Sequence, residues 1–378
     1  MAADVVIVGG GVMGCSVALR LAEAGLRPLV LERSVPGAEA SSAAAGILGP
    51  LAEADHATPA VRPAAALRLG VKSRQLHAAL AEQLRAEHGV SVGFRRCGLM
   101  RVAFDERELE SLDRHAALLE RAIVERIDGD EARRREASLS PDVVGALDLP
   151  EEAQLEPPLL LRGLALAAER AGAVFRSGAY VREVIVEGER ARGVRVGRER
   201  VEAEHVVVAA GSWTDLVRGI ERDLDLEAAG LHPVRGQIVA TETRPPVFRR
   251  IVFGAGGYVV TRPDGRALCG STEEHVGFRR EVTFAGMRGI LDLALRIAPR
   301  MAEAPVLDRW SSFRPGTRDG LPLVGPTGTE GLWLATGHFR NGILLAPITA
   351  EIVRSAILRQ PLPLGSEAVD PRRFRRRA

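Results

Sequence analysis

Three glycines near the N-terminus constrain the fold of this chain more than any other feature. An apolar run from Asp4 leads into Gly9, Gly11 and Gly14, a helical pattern follows, and a second apolar run ends at Glu32. In such a unit the first glycine permits a tight strand-to-helix turn, the second lets a pyrophosphate lie against bare backbone, and the third lets the helix press onto the sheet. The helix N-terminus then faces the dianion. The sequence therefore predicts a Rossmann-like dinucleotide-binding unit.

Glu32 narrows the choice of dinucleotide, because it ends the second strand of this unit. A carboxylate at this point accepts hydrogen bonds from both ribose hydroxyls and repels a 2′-phosphate, which disfavours NADP. The unit does not distinguish NAD from FAD, so the rest of the chain must decide.

Length, charge and cysteine content exclude several classes of protein. The 378 residues suggest two domains, and 51 basic against 49 acidic residues leave no basic field for nucleic acid or an anionic membrane. Cys15, Cys97 and Cys269 are isolated, without the spacing of a metal site, which favours a reducing compartment. We expect no metal. No apolar run is long enough to span a membrane, and no signal-peptide pattern opens the chain, so we expect a cytoplasmic protein.

The pattern of the sequence changes along the chain, which indicates a second domain. Helical spacing over residues 64–88 gives way near residue 89 to short alternating runs and a charged helical stretch, Glu106–Arg126. The earlier pattern returns near Leu155, and alternation typical of an antiparallel sheet reappears over Leu231–Cys269. The pattern predicts further elements: helices over Leu159–Ala171, Thr283–Ile297 and Ile348–Leu358, a hairpin of Tyr180–Val186 with Arg192–Val196, and strands over His205–Ala209 and Gly331–Gly337.

Four motifs, in this order, carry a family resemblance over nearly the whole chain. They are SSAAAGIL from Ser41, VVVAAGSW from Val206, FRPGTRDGLPLVG from Phe313 and GHFRNGILLAPITA from Gly337. Together with the glycine fingerprint, they resemble the superfamily of FAD-dependent D-amino acid oxidases and glycine oxidases. The last motif most closely resembles the glycine oxidases of thiazole and thiamine biosynthesis.

The resemblance implies a mixed α/β (α+β) fold, in which a Rossmann-like FAD-binding domain is interrupted twice by a substrate domain built on an antiparallel sheet. We assign residues 1–88, 151–230 and 306–378 to the FAD-binding domain. Residues 89–150 and 231–305 are assigned to the substrate domain.

The resemblance also implies bound FAD and the residues that contact it. Similar enzymes of the sarcosine oxidase type hold the flavin through a cysteine in the C-terminal third, and none follows Cys269, so we expect noncovalent FAD. The expected contacts beyond Gly9, Gly11, Gly14 and Glu32 are Val12 and Met13 at the pyrophosphate, Arg33 at the ribose, Ala40, Ser41, Ala45, Gly46 and Ile47 toward the flavin, Val181 at the adenine, Gly211 after the third strand, and His338, Phe339, Arg340, Asn341, Gly342, Ile343 and Leu344 around the isoalloxazine.

Three residues are implied to bind the substrate. Arg314 matches an arginine that binds an amino acid carboxylate in a bidentate fork. Tyr258 matches a tyrosine that donates its hydroxyl to the same carboxylate. Arg340 matches a second arginine at the substrate end of the flavin. Structural alternatives stay open for two of them. Arg314 could form a surface ion pair with Asp319 or Glu330, and Tyr258 could be a half-buried strand aromatic.

The implied reaction is oxidative deamination of glycine, or of another small amine or D-amino acid. A hydride passes from Cα to flavin N5, and water hydrolyses the imine to ammonia and the keto acid, which is glyoxylate from glycine. Oxygen reoxidises the flavin and gives hydrogen peroxide, and the product would feed thiazole and thiamine biosynthesis. No protein base is required, and His232 and His275 lack a partner at a recognisable catalytic spacing.

The sequence departs from the family pattern at three positions that bear on substrate preference. Ile47 stands where a methionine is common, and Gly256 and Gly257 precede Tyr258 where related enzymes have bulkier residues. We therefore expect a roomier site, which leaves glycine, sarcosine and small D-amino acids open as substrates.

Three classes of function remain. The first is the oxidase, and the second is a D-amino acid or sarcosine dehydrogenase that passes electrons to a carrier other than oxygen. The third is a non-catalytic or RNA-modifying flavin module, against which the lack of a basic groove argues. The resemblance further implies a homo-oligomer, by analogy a tetramer.

Overall fold

The computed structural model of the protein describes residues 3–54, 63–119 and 124–376. The strands are β1 Val5–Val8, β2 Pro28–Leu31, β3 Ile47–Leu48, β4 Arg95–Arg96, β5 Leu99–Ala103, β6 Glu125–Asp128, β7 Gly145–Leu149, β8 Ala153–Gln154, β9 Val174–Arg176, β10 Val181–Glu187, β11 Arg190–Val196, β12 Glu199–Glu202, β13 His205–Val208, β14 His232–Glu242, β15 Ile251–Gly254, β16 Gly257–Thr261, β17 Arg266–Gly270, β18 Val306–Gly316, β19 Leu323–Pro326 and β20 Leu332–Thr336. The helices are α1 Val12–Glu23, α2 Ala40–Ala43, α3 Pro63–His88, α4 Glu106–Ala117, α5 Gly129–Arg135, α6 Pro157–Arg170, α7 Leu226–Ala229, α8 Phe284–Ile297 and α9 Gly342–Ile357.

The first large sheet has the strand order β19-β20-β13-β1-β2-β9. Strand β1 pairs in parallel with β13 and β2, and all four of its residues are buried. Val5 and Ile7 pack with α1, α6 and α9 on one face, whereas Val6 and Val8 pack against the small sheet β10-β11-β12 on the other. Because both faces are covered, the strand is continuously apolar instead of alternating.

Two glycines bring α1 onto this sheet. Gly9 has φ +105°, and a Cβ at Gly14 would lie 1.9 Å from the carbonyl oxygen of Gly9. No side chain larger than hydrogen fits there, so the helix approaches the turn as closely as the glycine spacing predicts.

The second large sheet has the order β18-β14-β17-β16-β15-β5-β7-β6, and its pairs are antiparallel except for β15 with β5. Helix α8 covers one face, where Ile290 and Ile297 pack with Val259. Tyr258 belongs to the opposite face and packs with residues of the segment that follows α2. The strand alternation therefore turns Tyr258 toward the nucleotide-binding half of the molecule.

The elements expected over Leu159–Ala171, Thr283–Ile297 and the Tyr180–Val196 hairpin are present with small shifts at their ends. The helix expected over Glu106–Arg126 was wrong in its extent, because α4 ends at Ala117 and β6 begins at Glu125. Residues 120–123 of that prediction lie outside the described part of the chain. Strand β18 begins just after residue 305, the expected boundary between the two domains, and pairs along its length with β14 of the second sheet.

Helix α9 begins at Gly342, earlier than the expected start at Ile348, and contains Pro347. A proline inside a helix leaves the carbonyl four residues earlier without its usual donor, here that of Ile343. The His77 Nε2 atom on α3 lies 2.8 Å from that carbonyl oxygen, and the Ser73 hydroxyl donates to the next carbonyl, that of Leu344, at 2.6 Å. Side chains from α3 thus replace the missing backbone donor, and the helix extends through the proline.

Candidate active site

One continuous cleft runs between the two large sheets, from the glycine fingerprint to Tyr258 on β16 and Arg314 on β18. Nearly all the expected cofactor contacts line it: Gly9, Gly11, Val12, Met13, Glu32, Arg33, Ala40, Ser41, Ala45, Gly46, Ile47, Val181, Gly211, His338, Phe339, Arg340, Asn341, Gly342 and Ile343. Two expected contacts do not line it. Gly14 lies behind the turn against Gly9, and Leu344 lines a second cavity on the other side of Arg340.

The nucleotide end of the cleft is organised by Glu32. Its carboxylate accepts hydrogen bonds from the backbone N–H of Gly10 at 2.7 Å and of Ser34 at 2.8 Å. The neighbouring Arg33 guanidinium lies 3.8 Å from the ring centroid of Trp213, which also lines the cleft. Trp213 stands two residues after Gly211 in the AAGSW motif, and sequence reasoning assigned it no contact of its own.

The segment His338–Ile343 lines the cleft where α9 begins. The His338 imidazole is buried and turned toward α9, with its Nε2 atom 2.9 Å from the Thr349 hydroxyl oxygen. Burial lowers the pKa of His338 to about 3, so this side chain is neutral at physiological pH. The start of α9 therefore offers a helix N-terminus to the cleft without a charged histidine beside it.

Arg314 lies on β18 and extends its side chain into the opposite end of the cleft. Its Nη1 atom donates to the Thr272 carbonyl oxygen at 3.1 Å and its Nη2 atom to the Ser271 hydroxyl at 2.5 Å. A Cβ at Gly236, on the adjacent strand β14, would lie 2.2 Å from Nη1, so the guanidinium occupies space that this glycine leaves open. Ser271, Thr272 and Gly236 were missed by sequence reasoning.

The surface ion pairs considered for Arg314 do not form. Asp319 pairs with Arg373 at 2.8 Å, and Glu330 pairs with Arg190 at 2.9 Å. No carboxylate in the described ranges forms a salt bridge with Arg314, and the side chain lines the cleft. Arg314 thus brings a positive charge that these ranges do not neutralise by direct pairing.

Tyr258 lies beside Arg314. Its side chain is 8% exposed and stacks on Phe253 with 5.6 Å between ring centroids, and the Ser271 side chain hydrogen-bonds to it. Burial raises the pKa of Tyr258, which keeps the hydroxyl protonated and able to donate. Tyrosine and arginine donors therefore converge on one place, as recognition of a carboxylate requires.

Arg340 is held by two carboxylates that the sequence did not single out. Its Nε and Nη2 atoms donate to the two oxygens of Glu53 at 2.8 and 3.0 Å, and its Nη1 atom lies 3.4 Å from a Glu273 oxygen. Burial lowers the pKa of Arg340, but the two carboxylates raise it by more, so the net direction is upward. Arg340 is thus a permanently charged but internally paired group.

The expectation that Gly257 enlarges the site is wrong. A Cβ there would meet the Gly270 carbonyl oxygen at 2.4 Å and a Leu293 methyl group of α8 at 2.6 Å, on the face of the sheet away from the cleft. Gly256 has φ +89° and open space beside it, and Ile47 does line the cleft. His232 and His275 lie near each other in the second cavity, with ring centroids 5.3 Å apart, outside the cleft.

The cleft has the features that FAD requires. Gly9 and Gly11 line it without side chains, the Val12 N–H at the start of α1 donates to the Ser41 hydroxyl at 2.9 Å, and Glu32 lines it just after β2. The same cleft continues past the start of α9 to Tyr258 and Arg314, so a long two-part cofactor fits along it.

No helix in the described ranges is long and apolar enough to cross a membrane.

Comparisons with known proteins agree with this geometry. The model of the DAO family, described as FAD dependent oxidoreductase, matches residues 4–356. The chain is 33% identical over 371 residues to a bifunctional protein ThiO/ThiG of Trichormus variabilis, covering 95% of this chain and 53% of that relative. It therefore spans about half the length of that protein. It is 34% identical over 363 residues to a glycine oxidase of Geobacillus kaustophilus, covering 94% and 93% of the two chains.

The solved structures include a glycine oxidase from Geobacillus kaustophilus that superposes with a TM-score of 0.91 at 32% identity. The match covers 100% of this chain and 99% of that one. A glycine oxidase from Bacillus cereus matches with a TM-score of 0.86 at 30% identity, covering 95% and 96%. The chain belongs to the DAO family of FAD-dependent oxidoreductases.

Proposed function

We propose that the protein oxidatively deaminates glycine, or a similarly small amine or D-amino acid, to a keto acid, ammonia and hydrogen peroxide. The observation that carries the proposal is the guanidinium of Arg314, which forms no salt bridge with the described residues and lies beside Tyr258 at the end of the cleft. The names of the relatives support glycine as substrate and a link to thiamine biosynthesis.

Arg314 and Tyr258 perform the binding step in this proposal. The planar guanidinium pairs with the substrate carboxylate in a fork, and the tyrosine hydroxyl donates to the same group. This two-sided contact fixes the direction of the Cα–H bond, which lowers the entropic cost of reaching the reactive geometry. An L-amino acid held the same way would present its side chain where glycine and D-amino acids present hydrogen, so L-enantiomers should fail.

The FAD supplies the acceptor for the electron pair that leaves Cα. The protein does not need a base for this step if the amine enters in its neutral form. Among the described residues that line the cleft, the carboxylate nearest the substrate end, Glu53, is already paired with Arg340. Orientation by Arg314 and Tyr258 is therefore the main contribution of the protein that we propose.

A substrate panel tests the proposal. The purified protein should be yellow and release FAD on acid denaturation, as expected for a noncovalent cofactor. Under anaerobic conditions glycine, sarcosine, D-alanine or D-proline should bleach the flavin absorbance, and added oxygen should restore it with one hydrogen peroxide per substrate. Bleaching that oxygen fails to reverse would favour the dehydrogenase alternative, and bound NAD without flavin would reject both.

Two expectations about the intact protein remain part of this proposal. We expect a cytoplasmic enzyme and a homo-oligomer, a tetramer by analogy. Sedimentation of the purified protein tests the second expectation, and fractionation of the source cells tests the first.

A further inference from the structure

Residues 271–283, here called the strap, connect β17 to α8 and touch both ends of the cleft. At its start the strap accepts two hydrogen bonds from Arg314. Further along, Phe278 and Arg280 contact residues of the nucleotide end. A single connection of the second large sheet therefore reaches the half of the molecule that binds the nucleotide.

Both ends of the strap are fixed to β14. The backbones of Arg235 and Glu274 exchange hydrogen bonds at 2.9 and 3.0 Å, and their side chains form an ion pair. The Gln237 side chain accepts a hydrogen bond from the Thr283 N–H at 2.9 Å and donates one to the Glu274 carboxylate at 2.7 Å. Residues 275–282 thus form a loop whose base is held by the second large sheet.

A carboxylate that lines the cleft joins this loop to the nucleotide end. Glu39 lies just before α2, and one of its oxygens accepts a hydrogen bond from Arg33 while the other accepts one from Arg280. Arg33 follows β2 of the Rossmann-like unit, whereas Arg280 belongs to the strap. Moving the strap away from the nucleotide end would break one of these two contacts.

An aromatic contact joins the same two parts of the molecule. The Phe278 ring stacks on Trp213 with 5.4 Å between centroids and 25° between planes, and it meets Phe313 edge-on at 5.4 Å. Trp213 and Phe313 line the cleft, whereas Phe278 and Arg280 are not among the described residues that line it. Phe278 and Arg280 therefore support the wall of the cleft from behind.

We propose that the strap retains FAD by holding the nucleotide end of the cleft closed. The Arg280–Glu39 and Phe278–Trp213 contacts together form what we call the clasp. FAD enclosed between the two large sheets must separate the residues that line this end in order to leave, and that movement breaks the clasp. The clasp thus raises the barrier to release, as closing loops do at other enclosed sites. The inference uses the binding of FAD and is independent of which substrate is oxidised.

The rate of FAD release tests the clasp. The FAD-loaded protein is diluted into buffer without FAD or substrate, and the rise in free-flavin fluorescence gives the rate. Arg280→Met keeps an apolar stem and removes the charge, so release should become about threefold faster, the scale of a partly exposed ion pair. Phe278→Ala should speed release about fivefold, the scale of an aromatic pair. The double variant should release FAD faster than either single variant.

Matched variants separate the clasp from a general effect on the strap. Arg279→Met alters the neighbouring exposed arginine, whose Nε atom donates to the Val276 carbonyl oxygen within the strap, and should leave release unchanged. Arg280→Lys restores a positive charge and should recover most of the slow release. In a Glu39→Ala background, Arg280→Met should add little, because the contact is already lost.

Release at the wild-type rate in the double variant Arg280→Met/Phe278→Ala would overturn the clasp. Equal acceleration by Arg279→Met would also overturn it, because the loss of any charge on the strap would then be sufficient. The same holds for a full additional effect of Arg280→Met in the Glu39→Ala background. Since no substrate takes part, the proposed deamination is tested separately, by whether glycine bleaches the loaded protein.

Discussion

The position of Arg314 depends on what its neighbours lack as much as on what they supply. Gly236 leaves the space that the guanidinium fills, and Ser271 and Thr272 accept two of its hydrogen bonds without neutralising its charge. Because a carboxylate partner would satisfy this arginine permanently, the uncharged partners are what keep it available to a ligand.

Replacing Arg314 by alanine should cost about 2 to 5 kcal/mol of transition-state stabilisation, the scale for losing one partner of a desolvated charge pair. The loss should appear in kcat/KM for glycine or D-alanine, with the FAD content unchanged. Arg309→Ala, an exposed arginine on the same strand, is the matched control and should retain activity. A variant at position 314 that loses its FAD would show that the residue is structural.

Gly257→Ala should destabilise the protein without narrowing the substrate site. The new methyl group would collide with the Gly270 carbonyl oxygen and with Leu293, so the free energy of unfolding should fall by about 1 to 3 kcal/mol. The ratio of kcat/KM for D-alanine to that for glycine should stay the same. Denaturant titration and steady-state kinetics measure the two quantities, and a shifted ratio at normal stability would contradict the geometry.

At the scale of elements, α9 shows how a helix that faces the cofactor is secured from outside itself. Pro347 removes one backbone donor near the start of the helix, and α3 replaces it with His77 and Ser73. The long helix α3 therefore helps to fix the start of α9, although α3 contributes no residue to the cleft lining among those described.

The contact between α1 and β1 can be tested with a pair of glycine substitutions. Gly14→Ala places a methyl group 1.9 Å from the Gly9 carbonyl oxygen, so α1 must move away from the sheet. We expect a loss of about 2 kcal/mol or more in stability, together with a lower FAD content. Gly289→Ala on α8 meets no atom within 4 Å and should stabilise the protein by about 0.5 to 1 kcal/mol. Equal effects in the two variants would contradict the close contact.

At the scale of the whole molecule, the sequence predicted what is local and periodic. The β1–α1–β2 unit, the hairpin and the closing helix follow from short-range patterns and are present. Pairings between distant segments left no such pattern, which is why Glu53 with Arg340 and Ser271 with Arg314 were missed. The pairing of β18 with β14 left no such pattern either, because the two strands lie on opposite sides of α8 in the chain.

Two buried histidines should make the stability of the whole molecule depend on pH. Burial lowers the pKa of His77 to about 4 and that of His338 to about 3, whereas both are near 6.5 in an unfolded chain. Their contribution to stability is complete above pH 6.5. The free energy of unfolding falls as the pH drops below 6.5, because these histidines take up protons in the unfolded state but not in the folded state. The fall is at most about 1.4 kcal/mol per pH unit for each histidine.

Denaturant titrations between about pH 7.5 and pH 4.5 measure this dependence. His77→Gln removes one titrating group and retains an N–H donor for the Ile343 carbonyl, so its stability should fall less steeply with acid than that of the wild type. An identical pH slope in the two proteins would show that the pKa of His77 is the same in the folded and unfolded states.

The central position of β1 in the first sheet also determines when the protein can be completed during synthesis. The fingerprint glycines are made well before β13 and β20, which flank β1 on one side, and the segment His338–Ile343 that lines the cleft comes later still. A nascent chain therefore carries an incomplete nucleotide site, with one edge of the apolar strand β1 unpaired, until β13 has been made. Cofactor can be enclosed only after the segment His338–Ile343 has left the ribosome, so FAD loading must follow the synthesis of both large sheets.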